Sequence, residues 1–435
     1  MITYEEALTY IYDLSKYGIK LGLDNIRYLL ESLGNPQKDL KIIHVAGTNG
    51  KGSTSAIISS LLQSDGYKVG LFTSPHLVDF TERFKIGQRQ ISQREICQLV
   101  EKIKSHVDIV QRKPDGGHPT FFEVITAMAF LYFSREKVDF LVLEVGLGGR
   151  LDATNICEPL ISVITHIDFD HMDKLGNSLE EIAGEKAGII KENSLVVNAK
   201  QYKEAAEVIE RIAEEKKSKI ISLGKEVNYH IIKSDINGLR FDYKGIFEDY
   251  HDLCSPLIGR HQAENASLAI TVIQALHYLG INIARKAIVH GLTKAKWIGR
   301  LEIIKKSPIV LLDGAHNPSG IGIVKDTLKN IFNYKKMVLV FAVFSDKDYK
   351  KMVEIIAPLS NVIIITMMKS PRATPFSELY KEFLLYQCKE NIFIEKDIPL
   401  AIKKALEVSE RKDLICITGS LHTVGEAKEY FEKYN

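Results

Sequence analysis

Short apolar runs alternate with helical patterns along almost the whole chain. The first series of predicted strands consists of five segments, 41–46, 68–73, 140–145, 161–167 and 194–199. A patch at 229–243 has a more antiparallel character, and 263–276 is predicted to be one long helix. Strands that alternate with helices in this way indicate an α/β fold with mainly parallel sheets.

A second alternating series begins near residue 300, with predicted strands at 309–313, 337–343, 361–366 and 414–419. Its length suits a separate doubly wound domain. The chain has 435 residues, which exceeds the size at which a single core keeps growing. We therefore expect two domains, 1–296 and 300–435, with the boundary in 295–300 around the single tryptophan, Trp297.

Composition narrows the class of protein. With 45% hydrophobic and 26% charged residues, the chain has the make-up of an ordinary globular protein. Its 57 basic and 55 acidic residues give no electrostatic reason to expect a nucleic acid or a membrane as partner. Five scattered cysteines without a C-x-x-C pair argue against a disulfide scaffold or a cysteine-built metal site.

The chain begins with M-I-T-Y-E-E-A, which is acidic and shows no signal peptide. No apolar run approaches the ~20 residues that span a bilayer. Together with the unpaired cysteines, this favours a cytoplasmic location.

The stretch V-A-G-T-N-G-K-G-S-T, residues 45–54, lies between two apolar runs. A strand, a glycine-rich turn and a helix form the setting in which backbone N–H groups cradle phosphates. Lys51 would reach the terminal phosphates, and Ser53 or Thr54 could face a magnesium ion. A plain strand-to-helix turn would need the glycines alone, so the lysine and the two hydroxyls favour a nucleotide site.

The spacing of this loop differs from the usual phosphate loop. Only two residues separate Gly47 from Gly50, and Gly52 stands between Lys51 and Ser53, whereas the common motif has four residues between its glycines and a hydroxyl directly after the lysine. The difference argues against the common kinases and GTPases. It does not argue against phosphate binding.

Polar residues also follow other predicted strands, at the sheet edge where ligands gather. Ser74 lies in F-T-S-P-H-L, and Glu144 lies in an apolar strand, where a carboxylate is either paired in a salt bridge or binds a metal. Lys186 follows in G-E-K-A-G-I, where pairing with a neighbouring glutamate, Glu181 or Glu185, is the simplest expectation. A further cluster consists of His166, Asp168, Asp170 and His171, although any single histidine there could be structural.

The second half adds polar groups at the expected domain junction: Asn265 on the long helix, Arg300 in W-I-G-R-L-E, and Asp313, His316 and Asn317 after a strand. Any one of them could be a cap or a surface ion pair. Together they predict a ligand site at the junction of two α/β domains, a preferred place for one.

With these segments assembled, the chain resembles the folylpolyglutamate synthase/dihydrofolate synthase family of the Mur ligase superfamily, which forms amides with ATP. The matching motifs occur in family order: V-A-G-T-N-G-K-G-S, T-S-P-H-L, E-V-G-L-G-G-R-L-D-A-T-N, G-E-K-A-G-I, H-Q-A-E-N, G-R, D-G-A-H-N-P and G-S-L-H-T-V-G-E. The resemblance implies an N-terminal Mur-ligase-type P-loop ATPase domain with a mainly parallel sheet, and a smaller C-terminal Rossmann-like domain. It also identifies the unusual loop as the phosphate loop of the Mur-type ligases.

The resemblance further implies the roles of individual residues. ATP would be bound by Thr48, Asn49, Gly50, Lys51, Gly52, Ser53, Asn265, Arg300 and Asp313. One magnesium ion would be held by Ser74 and Glu144 and a second by His171. Catalysis would depend on Lys51, His316 and Lys186, which matches a lysine that is carbamylated in the superfamily. The folate would face Gly18, Ile19, Lys20, Leu21, Thr120, Phe121, Phe122, Glu123, Leu151, Asp152 and Ala153.

The implied reaction joins L-glutamate to a folate, or to dihydropteroate, after ATP has converted the acceptor carboxylate into an acyl phosphate. We expect a monomer. Three alternatives stay open: a cell-wall ligase acting on a nucleotide-sugar peptide, a nucleotide sensor, and an NAD-dependent dehydrogenase. T-F-F-E and G-S-L-H-T-V speak against the first, the retained Lys51, Glu144 and Arg300 against the second, and Leu151 at a required glycine position against the third.

Overall fold

The computed structural model describes residues 2–18, 20–112 and 117–434. Ile19, one of the residues expected to face the folate, lies outside the described residues.

The first sheet has eight strands in the order β4-β3-β2-β5-β1-β6-β7-β8. The six strands from β2 to β8 in this order are parallel, and β3 and β4 add an antiparallel hairpin at one edge. The central strands are apolar and buried along their length, as parallel strands covered on both faces must be. Their bounds are β1 Ile42–Ala46, β2 Val69–Phe72, β3 Phe84–Ile86, β4 Arg89–Gln90, β5 Phe140–Glu144, β6 Ile161–Ile164, β7 Leu195–Asn198 and β8 Lys219–Ser222.

Ten helices belong to the same part of the described chain. Four of them, α1, α2, α4 and α5, pack on one face of the sheet, and α3, α9 and α10 pack on the other. The bounds are α1 Tyr4–Asp13, α2 Asp24–Ser32, α3 Lys51–Ser64, α4 Gln93–Gln111, α5 Phe121–Arg135, α6 Met172–Leu175, α7 Leu179–Ala187, α8 Lys203–Glu215, α9 His261–Ala275 and α10 Arg285–Lys294.

The antiparallel patch expected at 229–243 is a separate three-stranded sheet in the order β11-β10-β9. It packs on the expected long helix, α9, through buried aromatic residues such as Phe241 and Tyr243. Its strands are β9 Asn228–Asp235, β10 Gly238–Lys244 and β11 Tyr250–Ser255.

The C-terminal sheet has the order β12-β13-β17-β14-β15-β16, and all neighbours except the pair β12–β13 are parallel. Apolar clusters cover both faces, as expected for a doubly wound domain. The strands are β12 Glu302–Lys306, β13 Ile309–Asp313, β14 Met337–Phe341, β15 Val362–Ile365, β16 Ile392–Ile394 and β17 Leu414–Thr418. The helices are α11 Pro318–Ile331, α12 Tyr349–Ile356, α13 Phe376–Phe383, α14 Ile398–Glu407 and α15 Leu421–Tyr434.

The predicted α/β class with a mainly parallel sheet and a second α/β domain is confirmed. Sequence patterns did not indicate the β3–β4 hairpin or the edge strands β8, β12 and β16, because strands of two to five partly exposed residues carry little periodicity. The strand expected at 161–167 ends at Ile164, and the residues after it leave the sheet to form part of the cleft. Within the described ranges, no helix is both long and apolar enough to cross a membrane.

Candidate active site

A cleft opens between the carboxyl edge of the first sheet and the C-terminal domain. All the residues expected to bind ATP or magnesium, or to act in catalysis, line it. They are Thr48, Asn49, Gly50, Lys51, Gly52, Ser53, Ser74, Glu144, His171, Lys186, Asn265, Arg300, Asp313 and His316. The two domains therefore both contribute to the site.

The phosphate loop connects β1 to α3 and leads directly into the first turn of that helix. The Lys51 ammonium donates to the carbonyl oxygens of Gly47, at 3.1 Å, and Thr48, at 3.2 Å. Gly50 has φ +89°, and a Cβ there would lie 2.4 Å from Asn265 Oδ1, so only glycine fits. The backbone N–H groups of the first helical turn and the Lys51 ammonium form an anion site at the helix N-terminus.

The extra glycine of the loop has a structural reason. A Cβ on Gly52 would lie 2.4 Å from the indole ring of Trp297. Trp297 belongs to the segment that joins the two domains, so this segment packs directly on the first turn of α3. Glycine between Lys51 and Ser53 is the residue that leaves room for the indole ring, which explains why this loop differs from the common spacing.

Lys186 is buried in the last turn of α7, and its ammonium donates to Gly47 O at 2.8 Å. The expected pairing of Lys186 with a neighbouring glutamate is wrong. Glu185 pairs with Arg150 at 2.8 Å, and Glu181 accepts the backbone N–H of Asn177 at 2.7 Å. Burial, assisted by the charge of Lys51, lowers the pKa of Lys186 to about 7. A large fraction of this amine is therefore neutral near neutral pH.

Glu144 ends β5, and its Oε2 atom accepts the backbone N–H of Ser74 at 3.0 Å. Burial raises the pKa of Glu144, against the charges of Lys51, Arg300 and Arg83. In the described part of the chain the carboxylate forms no direct ion pair, so the salt-bridge interpretation is not supported. A buried carboxylate beside a serine, facing the cleft, is a donor set of hard oxygens that fits a magnesium ion.

Asp170, in the first domain, contacts three residues of the second domain. Its Oδ1 atom accepts the Lys347 ammonium at 2.8 Å, and its Oδ2 atom accepts the Asn317 amide at 3.2 Å and lies 3.6 Å from His316 Nε2. Burial alone would raise the pKa of Asp170, but His316, His171 and Lys347 beside it hold this pKa well below its usual range. The carboxylate is therefore ionised, and it joins the loop after β6 of the first domain to the second domain.

His171, expected to hold a second magnesium ion, lies next to this pair. Burial lowers the pKa of His171 to about 4, so its imidazole is neutral and able to act as a ligand. Its Nε2 atom is 3.5 Å from the Lys347 ammonium, so a second cation here would have to displace that ammonium. The described residues contain no group of three or more histidine, cysteine or acidic side chains arranged to hold a metal. The side chains present therefore fit the first ion better than the second.

The C-terminal side of the cleft is shaped by Asp313. Its two carboxylate oxygens accept the backbone N–H groups of Leu301, at 2.9 Å, and Ala315, at 2.8 Å, which fixes the turns that carry Arg300 and His316. Burial raises the pKa of Asp313, opposed by the charge of Arg300. His316 Nδ1 donates to Gly314 O at 3.0 Å, because a carbonyl oxygen can only accept, and this directs Nε2 towards Asp170.

The segments expected to face the folate do not line this cleft. Thr120 and Glu123 cap α5, since each side chain binds the other's backbone N–H. The ring of Phe122 packs against Gly146, which does line the cleft, and Phe121 stacks on Tyr12 with ring centroids 5.8 Å apart. The remaining described members of the set are Gly18, Lys20, Leu21, Leu151, Asp152 and Ala153, of which Leu151 accepts the Gly22 N–H at 3.5 Å. These segments lie behind the loop 146–148.

Lys347 and Trp297 were not assigned roles on the basis of the sequence. A signal for Lys347 was present, because S-D-K-D follows a predicted strand of the second series at the edge where polar residues gather. Its partner Asp170 is 177 residues away in the sequence, and no local pattern indicates that pairing.

The Asp170–Lys347 pair gives a first testable prediction. Both side chains are about nine-tenths buried, and removing one member leaves a buried charge unpaired, at a cost of about 3 kcal/mol. We expect Lys347→Met and Asp170→Asn each to lower kcat/KM for ATP, and the double variant to be no worse than either. A double-mutant cycle should give a coupling of about 1–3 kcal/mol.

Lys350→Met is the matched control, since Lys350 is an exposed lysine next to the same loop. Its effect should add to that of Asp170→Asn without coupling. If the effect of Lys347→Met also simply adds to that of Asp170→Asn, the pair does not link the domains during turnover.

Comparison with known proteins identifies the family. Residues 45–273 match the Mur ligase middle domain, and residues 299–421 match the Mur ligase glutamate ligase domain. The dihydrofolate synthase/folylpolyglutamate synthase of Bacillus subtilis is 40% identical over 428 residues, which cover 98% of each chain.

Solved structures agree with this result. Mycobacterium tuberculosis folylpolyglutamate synthase complexed with ADP has a TM-score of 0.91 at 30% identity and covers 98% of this chain and 99% of its own. E. coli FolC in complex with DHPP and ADP has a TM-score of 0.88 at 29% identity, covering 100% and 98%. The resemblance inferred from the motifs, the two-domain α/β fold and the assignment as an ATP-dependent ligase are confirmed. The chain therefore belongs to the folylpolyglutamate synthase/dihydrofolate synthase family of Mur-type, ATP-dependent ligases.

Proposed function

We propose that this chain adds L-glutamate both to tetrahydrofolate and to dihydropteroate, through an acyl phosphate made with ATP. One observation carries the proposal: all the residues expected to handle ATP and its phosphates line one cleft between the two domains. The names of full-length relatives support both acceptors, since those of Bacillus subtilis and Mycobacterium tuberculosis are called dihydrofolate synthase/folylpolyglutamate synthase. The cell-wall alternative has no such support.

In the first step, the acceptor carboxylate attacks the γ-phosphorus of ATP, and ADP leaves. Residues 48–53 bind the phosphates through backbone N–H groups, and the ammonium of Lys51 neutralises their charge. Arg300 and Asp313 approach ATP from the other side of the cleft, whereas Asn265, on α9, lies beside Gly50 of the phosphate loop. A magnesium ion bound by Glu144 and Ser74 would supply a further positive charge to the phosphate oxygens.

In the second step, the amino group of L-glutamate attacks the acyl carbon, and the tetrahedral intermediate expels phosphate to leave an amide. The attacking amine must lose a proton. His316 is the candidate acceptor, since its Nδ1 atom donates to Gly314 O and its Nε2 atom faces the cleft and Asp170. No protein nucleophile is needed, because alignment of the two substrates supplies much of the rate.

Further parts of the proposal rest on the family resemblance. We propose that Lys186 is carbamylated, and its position beside the phosphate loop and its lowered pKa support this. The two domains comprise residues 1–296 and 300–435. A second magnesium ion at His171 requires Lys347 to move. We also propose that the enzyme works as a monomer. Five free thiols suit a reducing, cytoplasmic location.

The test is phosphate release with ATP, Mg²⁺ and L-glutamate, supplied with tetrahydrofolate, dihydropteroate or a nucleotide-sugar peptide. We expect release with both pterins and a product heavier than the acceptor by one glutamyl residue, measured by mass spectrometry. Release with the nucleotide-sugar peptide alone would refute the proposal. Release with tetrahydrofolate but not dihydropteroate would remove the second acceptor.

A further inference from the structure

A row of buried polar side chains lies beneath the strand that leads into the phosphate loop. His44, in β1, is fully buried, and so is Thr154 in the short 3-10 helix Ala153–Ile156. The His44 Nε2 atom is 2.8 Å from Thr154 Oγ1, and the His44 Nδ1 atom is 3.8 Å from the sulfur of Cys157. Thr154 Oγ1 is in turn 2.5 Å from Asp152 Oδ1. We call these four residues the His44 network.

The hydrogen bonds of the His44 network have one direction. Both oxygens of Asp152 accept backbone N–H groups, so the Thr154 hydroxyl donates to Oδ1 as well. Burial raises the pKa of Asp152, and these hydrogen bonds oppose the rise. The hydroxyl oxygen is then free to accept from His44 Nε2–H, which leaves Nδ1 without a proton and able to accept the Cys157 thiol. Burial keeps His44 and Cys157 neutral, since it lowers the pKa of His44 to about 3 and raises that of Cys157 to about 12.

Asp152 connects the His44 network to a loop in the wall of the cleft. Its Oδ2 atom accepts the Leu147 N–H at 2.8 Å, and its Oδ1 atom also accepts the Thr154 N–H at 3.0 Å. The loop 146–148 follows β5 and lines the cleft, and Phe122 packs on Gly146 from the opposite side. The loop therefore separates the phosphate loop from the segments expected to face the folate.

We propose that His44 is a positioning residue for the folate side of the reaction: through Thr154 it holds Asp152, and through Asp152 it holds the loop 146–148. The bond from Asp152 to Thr154 N–H is an ordinary helix cap, whereas the bond from a fully buried histidine on a neighbouring strand is not needed for capping. Its effect is to fix the one proton of the Thr154 hydroxyl on Asp152. The inference rests on the proposed function for the identity of the substrate.

The kinetic test uses variants that keep the shape of the side chain. Thr154→Val removes the hydroxyl and should raise KM for the pterin acceptor roughly tenfold, the cost of one hydrogen bond to a charged group. The rise in KM for ATP should be clearly smaller, although the loop 146–148 also lines the ATP cleft. Thr154→Ser keeps the hydroxyl and should stay close to the wild type. His44→Leu should have a smaller effect than Thr154→Val, since Thr154 can still donate, and His44→Gln, which offers an N–H, should restore it in part.

Thr366→Val is the matched control, since Thr366 is a fully buried threonine after β15 whose hydroxyl has no partner in the described chain. It should leave both KM values unchanged. An equal rise in KM for ATP and for the pterin in Thr154→Val, or a Thr154→Ser variant as impaired as Thr154→Val, would overturn the positioning role.

A second measurement needs no turnover and reads the wild-type protein directly. Wild-type protein labelled with ¹⁵N-histidine should show His44 protonated at Nε2 and bare at Nδ1 throughout the neutral pH range, with its signal assigned by its loss in His44→Gln. A proton on Nδ1, or an imidazole that titrates in this range, would overturn the inference. If the wild type turns over no pterin, the proposed function fails while this result still decides the state of the His44 network.

Discussion

Lys51→Ala is expected to lower kcat by about 10²–10³-fold, the usual cost of removing one preorganised group that stabilises developing charge. Lys51 is the first residue of α3, and its ammonium binds only the carbonyl oxygens of Gly47 and Thr48 in the described structure. Its packing contribution is small, so the variant should unfold at nearly the same temperature as the wild type. Steady-state phosphate release and thermal unfolding, measured side by side, test both statements.

Lys203→Ala is the matched control. Lys203 is also the first residue of a helix that follows a strand of the first sheet, but it is exposed and pairs only with Glu207, at 3.8 Å. Its replacement should change neither rate nor stability. Near-normal turnover in Lys51→Ala would refute the assignment of residues 48–53 as the phosphate site.

Lys186→Ala should lower kcat by a factor similar to that expected for Lys51→Ala. A short-chain carboxylate such as acetate should restore part of the activity. A carbamate carries a negative charge and two oxygens beside the phosphate loop, and acetate can supply the same groups in the space that the variant leaves. Forming a carbamate needs a neutral amine, which the lowered pKa of Lys186, about 7, provides. Wild-type enzyme depleted of bicarbonate should lose activity and regain it when bicarbonate is added.

Stability gives an independent test of the same residue. The pKa of unmodified Lys186 is lowered from 10.5 to about 7 on folding. Between these two pKa values the unfolded chain binds more protons than the folded chain, so the free energy of unfolding increases as the pH rises through this window. Below this window, the buried ammonium lowers the free energy of unfolding by the largest amount. Lys186→Met should accordingly unfold at a higher temperature than bicarbonate-depleted wild type near pH 7.

Lys174→Ala, at an exposed lysine of α6, is the control for Lys186→Ala. It should keep full activity and show no response to acetate. Full activity of Lys186→Ala without any carboxylate, or loss of activity that acetate and bicarbonate never affect, would rule out the carbamate.

The sequence was sufficient to predict the α/β class, the central strands of both sheets and many of the polar residues that line the cleft. Parallel strands end at one edge of a sheet, so polar residues such as Glu144 and Asp313, each at a strand end, could be expected to face a common site. Contacts between distant segments could not be predicted in this way. The Asp170–Lys347 pair and the approach of Trp297 to Gly52 depend on how two domains dock, and no local pattern encodes that.

The folate segments include residues with a structural role that the motif match did not indicate. Thr120 and Glu123 were assigned to substrate contact by resemblance, which stays a prediction, and their polar atoms also cap α5. A capping box has its own sequence signature, so this structural role could have been recognised from T-F-F-E. Asp152 was also assigned to the folate by resemblance, and its oxygens accept the backbone N–H groups of Leu147 and Thr154.

The contact between Trp297 and Gly52 provides an intrinsic fluorescence probe of the phosphate loop. The protein contains one tryptophan, and the indole ring lies against the turn that carries Lys51 and Ser53, on the segment between the two domains. Indole emission responds to nearby charge and to exposure to water. Any event that shifts the first turn of α3 relative to that segment will therefore change the emission of a single fluorophore, without a dye or a second tryptophan to complicate the signal.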